Sequence, residues 1–185
     1  MITGKLVLAA GLAVAGAGWC RADVVDSSTN GFTVKLTFTI QAAPADVYRR
    51  LVRNVGDWWD STHTFSGDAR NLTIDDKPMG CFCEKLANQG GVRHMEVLRV
   101  APGKTLVMSG ALGPMQPLAA VGTMTIELSP VDGGSKVEVT YTVSGYLAGG
   151  MNTFAAPADG MLKQQFTRLK NYVEHGEAAP KAGRP

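Results

Sequence analysis

Residues 157–175 are the only long stretch of this sequence with an amphipathic helical period, and the strongly patterned segments before them mostly alternate every second residue. Met161, Leu162, Gln165, Phe166, Leu169, Tyr172 and Val173 recur at spacings of three and four, which gathers them on one helix face. Asp159 near the start and Lys170 and His175 near the end suit the helix dipole. Upstream, Phe32, Val34, Leu36, Phe38 and Ile40 alternate with Thr33, Lys35, Thr37 and Thr39, the pattern of a strand buried on one side. Met124, Ile126 and Leu128 repeat it, as do Val137, Val139, Tyr141 and Val143 after the 130–134 turn. Antiparallel strands joined by tight turns leave one sheet face apolar and the other solvated. A single long amphipathic helix is the only element available to cover the apolar face.

Between these landmarks the sequence predicts two short helices after the first strand. Pro44 suits a first helical position, with Val47 and Leu51 on the apolar stripe. Gly56 ends that helix, and Trp58 and Trp59 begin the second. Residues 71–77 form a weak strand, 80–87 and 92–101 a hairpin across 88–91, and 104–111 a further strand. Residues 113–117 form a loop of mixed apolar character with two prolines, and 145–156 a flexible connection. The expected class is α+β: a curved antiparallel sheet of about six to seven strands wrapped around a long C-terminal helix.

With 185 residues and no internal repeat, the chain is read as one domain over 31–175. Residues 1–22 read as a signal peptide: Lys5 supplies the positive start, an apolar run follows, and Ala22 offers a small residue for cleavage. The run is too short and glycine-rich for a stable membrane span. Trp19 occupies the place where a lipobox needs a small residue, which argues against acylation of Cys20. Export, to the periplasm, is therefore expected, with 23–30 as a flexible leader and 176–185 as a disordered tail. The net charge is +2, and losing Lys5 and Arg21 brings it near zero, so no basic face recommends nucleic acid as a partner.

The chemistry-bearing residues cluster in Trp58-Trp59-Asp60-Ser61-Thr62-His63-Thr64-Phe65-Ser66-Gly67-Asp68 and in Gly80-Cys81-Phe82-Cys83-Glu84. Paired indoles beside a histidine and two aspartates suit either the mouth of a cavity or a plug at the end of a core. His63 suits a structural bracket to Asp60 or Asp68, or an acid–base group at the mouth. If 88–91 close the hairpin, Glu84 faces His94, Phe82 faces Glu96 and Cys83 faces Met95. Glu84, His94 and Glu96 would then share a face. Turned inward, His94 is a candidate general base oriented by Glu84; turned outward, the pair is an ordinary surface ion pair, and the pattern leans outward. Cys81 and Cys83 point to one side of a strand, and read first as small buried hydrophobes, with a disulfide as the alternative. With Met95 they also offer soft ligands for Cu(I), although Met95 is more simply core filling, so no metal or cofactor is assigned. Neither a nucleophile elbow nor a phosphate-binding glycine loop is present.

The element order resembles the START-like (SRPBCC, helix-grip) superfamily, and within it the bacterial polyketide cyclase/dehydrase-like group. Besides the two segments above, the resemblance is carried by Gln165-Phe166-Thr167-Arg168-Leu169-Lys170-Asn171-Tyr172-Val173, and it spans roughly 32–174. It implies a deep apolar cavity between sheet and last helix, and leaves the reaction open because members range from carriers to enzymes. The wall residues expected on this reading are Phe38, Val47, Leu51, Met108, Met124, Ile126, Tyr141, Met161, Leu162 and Phe166, with Trp58 and Trp59 at the entrance. The partner is a small hydrophobic molecule. The rivals are a cyclase, dehydratase or hydrolase using His94 with Glu84 or His63 with Asp60, and an envelope protein-interaction module with an exposed apolar patch and a solid interior.

Overall fold

The computed structural model describes residues 21–179; the targeting segment expected over 1–22 and the end of the expected tail lie almost wholly outside them. Eight antiparallel strands form one curved, unclosed sheet in the order β1-β2-β8-β7-β6-β5-β4-β3. They are β1 (Arg21–Ser28), β2 (Gly31–Ile40), β3 (Leu72–Ile74), β4 (Cys81–Lys85), β5 (Gly91–Ala101), β6 (Thr105–Ser109), β7 (Ala119–Val131) and β8 (Gly134–Tyr146). The helices are α1 (Pro44–Arg53), α2 (Val55–Trp58) and the long α3 (Ala155–His175). This is the helix-grip arrangement. The apolar face of the strands and the apolar side of α3 form one core, in which Val34, Leu36, Ile40, Val137, Val139, Leu162 and Leu169 are fully buried.

The strand missed in the sequence is β1. Residues 23–30, expected as a leader, instead pair along β2 from Val24 opposite Val34 to Ser28 opposite Gly31. Every one of residues 23–30 is exposed, so this edge strand has no apolar period to reveal it; backbone hydrogen bonding to β2 holds it. Residues 145–156 are also more ordered than expected, since β8 runs to Tyr146 and Met151–Phe154 forms a 3-10 turn leading into α3.

Two short-range devices set where α2 lies and where α3 ends. Trp58 closes α2 instead of starting it, and a Cβ on Gly56 would come within 3.0 Å of the Ala69 carbonyl oxygen, so the glycine lets α2 lie directly on the 69–71 turn. At its far end α3 stops at Gly176, whose left-handed φ of 78° allows its N–H to bond the Tyr172 carbonyl at 2.9 Å.

Candidate functional site: a cavity at the N-terminal end of the long helix

The β4–β5 hairpin does not keep simple register. Phe82 lies opposite Met95 and Cys83 opposite Arg93, so a bulge leaves His94 as the extra residue of β5. Because of it, His94 and Met95 are both buried although they are adjacent in sequence. Glu84 pairs with Val92 along the backbone, and its side chain reaches across to His94, with Glu84 Oε2 2.9 Å from His94 Nε2. The expected contact thus exists in a different register. It points inward, against the outward preference drawn from the sequence: Glu84 is 2% and His94 6% exposed. Glu96 is on the other side, 2.9 Å from Arg93, and takes no part.

Glu84 is also the anchor of the 61–68 segment, because it accepts the backbone N–H groups of Phe65 (3.1 Å) and Ser66. Burial pushes its carboxyl upward, but the hydrogen bonds from Ser66, Phe65 and His94 outweigh burial and hold it below the usual carboxylate range. Burial lowers the His94 imidazole, and the Glu84 carboxylate only partly offsets this. His94 is therefore neutral at pH 7, with the proton on Nε2 donated to Glu84. Among the described residues Nδ1 has no hydrogen-bond partner, yet it is not among the polar atoms sealed from solvent.

Both shifts carry the same sign for stability. The unfolded chain protonates His94 and then Glu84 at higher pH than the folded chain does, so stability is full above the ordinary imidazole value of about 6.5 and falls as the pH drops below it. Urea unfolding midpoints are expected to agree between pH 7 and 8 and to decline steadily from pH 6.5 to 4. A midpoint that holds constant through that range contradicts the assignment.

The second histidine is placed by α3. Gln165, fully buried, accepts the Asp60 N–H at 2.8 Å through Oε1 and so turns its amide nitrogen toward His63 Nδ1 at 3.3 Å. Arg168 donates to the Trp58 carbonyl at 2.9 Å and Gln164 to Asp60 Oδ2 at 2.7 Å. Trp59 Nε1 donates to the His63 carbonyl at 3.1 Å. The bracket to Asp60 or Asp68 expected for the His63 ring is absent. Asp60 instead caps Thr62, and Asp68 is paired with Arg70, because both carboxylates are closer to backbone N–H groups of their own turns.

His63 and His94 meet at a cavity of about 450 Å³, whose lining also includes Trp59, Thr62, Thr64, Phe65, Leu112, Pro114, Met115, Phe154, Pro157 and Met161. No charged side chain lines it among the described residues. Phe65 is 54% exposed and stacks on His94 with ring centres 5.9 Å apart, while Phe82 supports the imidazole from within at 5.0 Å.

This cavity is not where the wall residues were expected. Of those, only Trp59 and Met161 line it. Phe38, Val47, Leu51, Trp58, Met108, Met124, Ile126, Tyr141, Leu162 and Phe166 are packed into the core, where the void beneath the middle of α3 is only about 20 Å³. Trp58 and Phe166 fill that space, with ring centres 6.1 Å apart, which moves the opening to the N-terminal end of the helix. Tyr141 anchors the cavity's far wall: its hydroxyl accepts the Leu112 N–H at 3.0 Å and donates to the Gly110 carbonyl at 3.1 Å. Burial pushes this phenol up to about 12, so it remains a donor across the physiological range. Leu112, Pro114 and Met115 were missed, their only sequence signal being the mixed apolar character of 113–117, while Phe154 comes from the 145–156 connection.

Cys81 and Cys83 form a disulfide with Cα atoms 5.4 Å apart, in place of the two buried thiols favoured from sequence. They lie on the strand face opposite Phe82 and Glu84, and their bonded sulfurs are not available as thiolate ligands for copper. Loop-closure entropy over so short a span is modest, so replacing both with serine is expected to lower stability by about 1–2 kcal/mol. Urea denaturation of the double variant against the oxidised protein measures this. No group of three His, Cys, Asp or Glu side chains among the described residues is disposed to hold a metal ion.

Residues 31–174 match the sequence profile of the polyketide cyclase / dehydrase and lipid transport family. The chain belongs to this family. Its fold is shared by solved structures of low sequence identity. A conserved protein of unknown function from Enterococcus faecalis is 16% identical, with a TM-score of 0.59, over 92% of this chain and 84% of that one. A protein from Rhizobium leguminosarum is 18% identical (TM-score 0.57; 83% and 97% covered), and CalU16 from Micromonospora echinospora is 11% identical (TM-score 0.56; 86% and 88%). No curated protein matches the chain in sequence. No helix among the described residues is long and apolar enough to cross a membrane.

Proposed function

We propose that this protein is an exported, periplasmic binding domain that holds a small apolar or aromatic molecule in the cavity at the N-terminal end of α3. The observation that supports this most is the cavity itself, because about 450 Å³ of mainly apolar space with a few convergent polar groups is characteristic of small-molecule sites. Family membership agrees with ligand binding. The interaction-module reading called for a solid interior, and the cavity speaks against it. Native mass spectrometry of protein purified from the periplasm, with titration by hydrophobic fluorescent probes, tests the proposal. Co-purified or saturable ligand is expected; an empty protein that refuses every probe overturns it.

One observation favours an enzymatic second reading. The buried Glu84–His94 pair leaves a neutral imidazole nitrogen at an apolar cavity, the arrangement a general base requires. On that reading His63 is a second acid–base group, and bound ligand is returned chemically altered. Recovery of unchanged ligand after prolonged incubation excludes it.

A further inference from the structure

The hydrogen bond between Glu84 and His94 fixes what this histidine offers to a ligand. Glu84 is ionised and accepts from His94 Nε2, so the His94 lone pair on Nδ1 is an acceptor with no protein partner among the described residues. His63 Nδ1 lies 3.3 Å from both the Gln165 amide nitrogen, a donor because its oxygen is committed to the Asp60 N–H, and Thr62 Oγ1, an acceptor because its proton is given to Asp60, so its protein contacts are of both kinds. No lysine or arginine among the described residues lines the cavity to receive an anion, and the Glu84 carboxylate lies directly behind His94.

We propose that the cavity selects neutral ligands bearing a hydroxyl donor, which donates to His94 Nδ1. This rests on the ligand-binding reading above and adds the class of ligand. An apolar guest without a donor leaves Nδ1 unpartnered as water is expelled, and a carboxylate is stripped of water with no cation to receive it. Phenols and alcohols avoid both penalties, whereas fatty and aromatic acids incur the second.

The test is isothermal titration of the full mature chain with 1-naphthol, naphthalene and 1-naphthoate, which share a ring system. Naphthol is expected to bind about tenfold more tightly than naphthalene, the equivalent of one net hydrogen bond, and naphthoate more weakly than either. The ¹⁵N resonance of His94 Nδ1 is expected to move with naphthol and not with naphthalene. In a His94→Leu variant, checked for folding by circular dichroism, the naphthol-to-naphthalene ratio is expected to fall to near one. Equal affinity of naphthol and naphthalene for the wild-type chain, or a preference for naphthoate, overturns the proposal while leaving the binding reading intact. Failure of all three to bind overturns both. The wild-type series decides the question even if the variant does not fold.

Discussion

Glu84→Ala is expected to destabilise the protein by about 3–5 kcal/mol, because several hydrogen bonds to one buried carboxylate are lost together. Three donors lose their acceptor at once: His94 Nε2 and the backbone N–H groups of Phe65 and Ser66. The last two belong to the segment that forms one wall of the cavity, so the loss extends beyond stability. Phe65 is expected to leave the face of His94, and ligand affinity to fall with it. Glu84→Gln retains an acceptor oxygen for the loop but not the charge, and is expected to lie between Ala and wild type. Urea denaturation of the three proteins, with probe binding measured on each, checks the order. A Glu84→Ala protein as stable as wild type would mean that the 61–68 segment is held by other contacts.

Trp59→Ala should cost a comparable amount, about 3–5 kcal/mol, and change the shape of the site. Trp59, with Leu112, borders both the outer cavity and the small void beneath α3, so its indole is part of the partition between them. Its ring packs against Trp58 at 5.5 Å and Phe82 at 5.3 Å, and its N–H holds the His63 carbonyl. Truncation is expected to join the two spaces into one deeper pocket. Longer apolar probes should then bind relatively better than short ones, although the variant is less stable. Displacement titrations with alcohols of increasing chain length read this directly. A loss of affinity that is uniform across the series would show that the indole is a contact surface only and not a partition.

These two residues also show where the site came from. The Glu84–His94 contact lies beside a bulge that shifts β5 by one residue and buries both His94 and Met95, and Trp59 divides two spaces where α3 fixes the 58–63 segment through Gln165, Gln164 and Arg168. The family resemblance of the 165–173 motif has a physical basis in that clasp. Its polar members, Gln165 and Arg168, tie the Trp segment to the helix, and Phe166 fills the core behind it.

The sequence alone determined the architecture, because side-chain periodicity is a local property: alternation from Phe32 to Ile40 and from Val137 to Val143 commits those segments to one-sided strands, and the spacing from Met161 to Val173 commits the last segment to cover them. It also brought forward Trp59, His63, Glu84, His94 and Met161 as residues of interest, since polar and aromatic groups so placed need partners. It did not reveal β1, whose side chains are all exposed where burial is described, nor the bulge, which changes register by one residue without changing composition. Which apolar residues fill the core and which line the cavity was left to tertiary packing. Phe166, Met108 and Met124 have the same hydrophobicity in either role, and only the volumes of Trp58 and Phe166 meeting beneath α3 decided that the opening lies at the helix's N-terminal end.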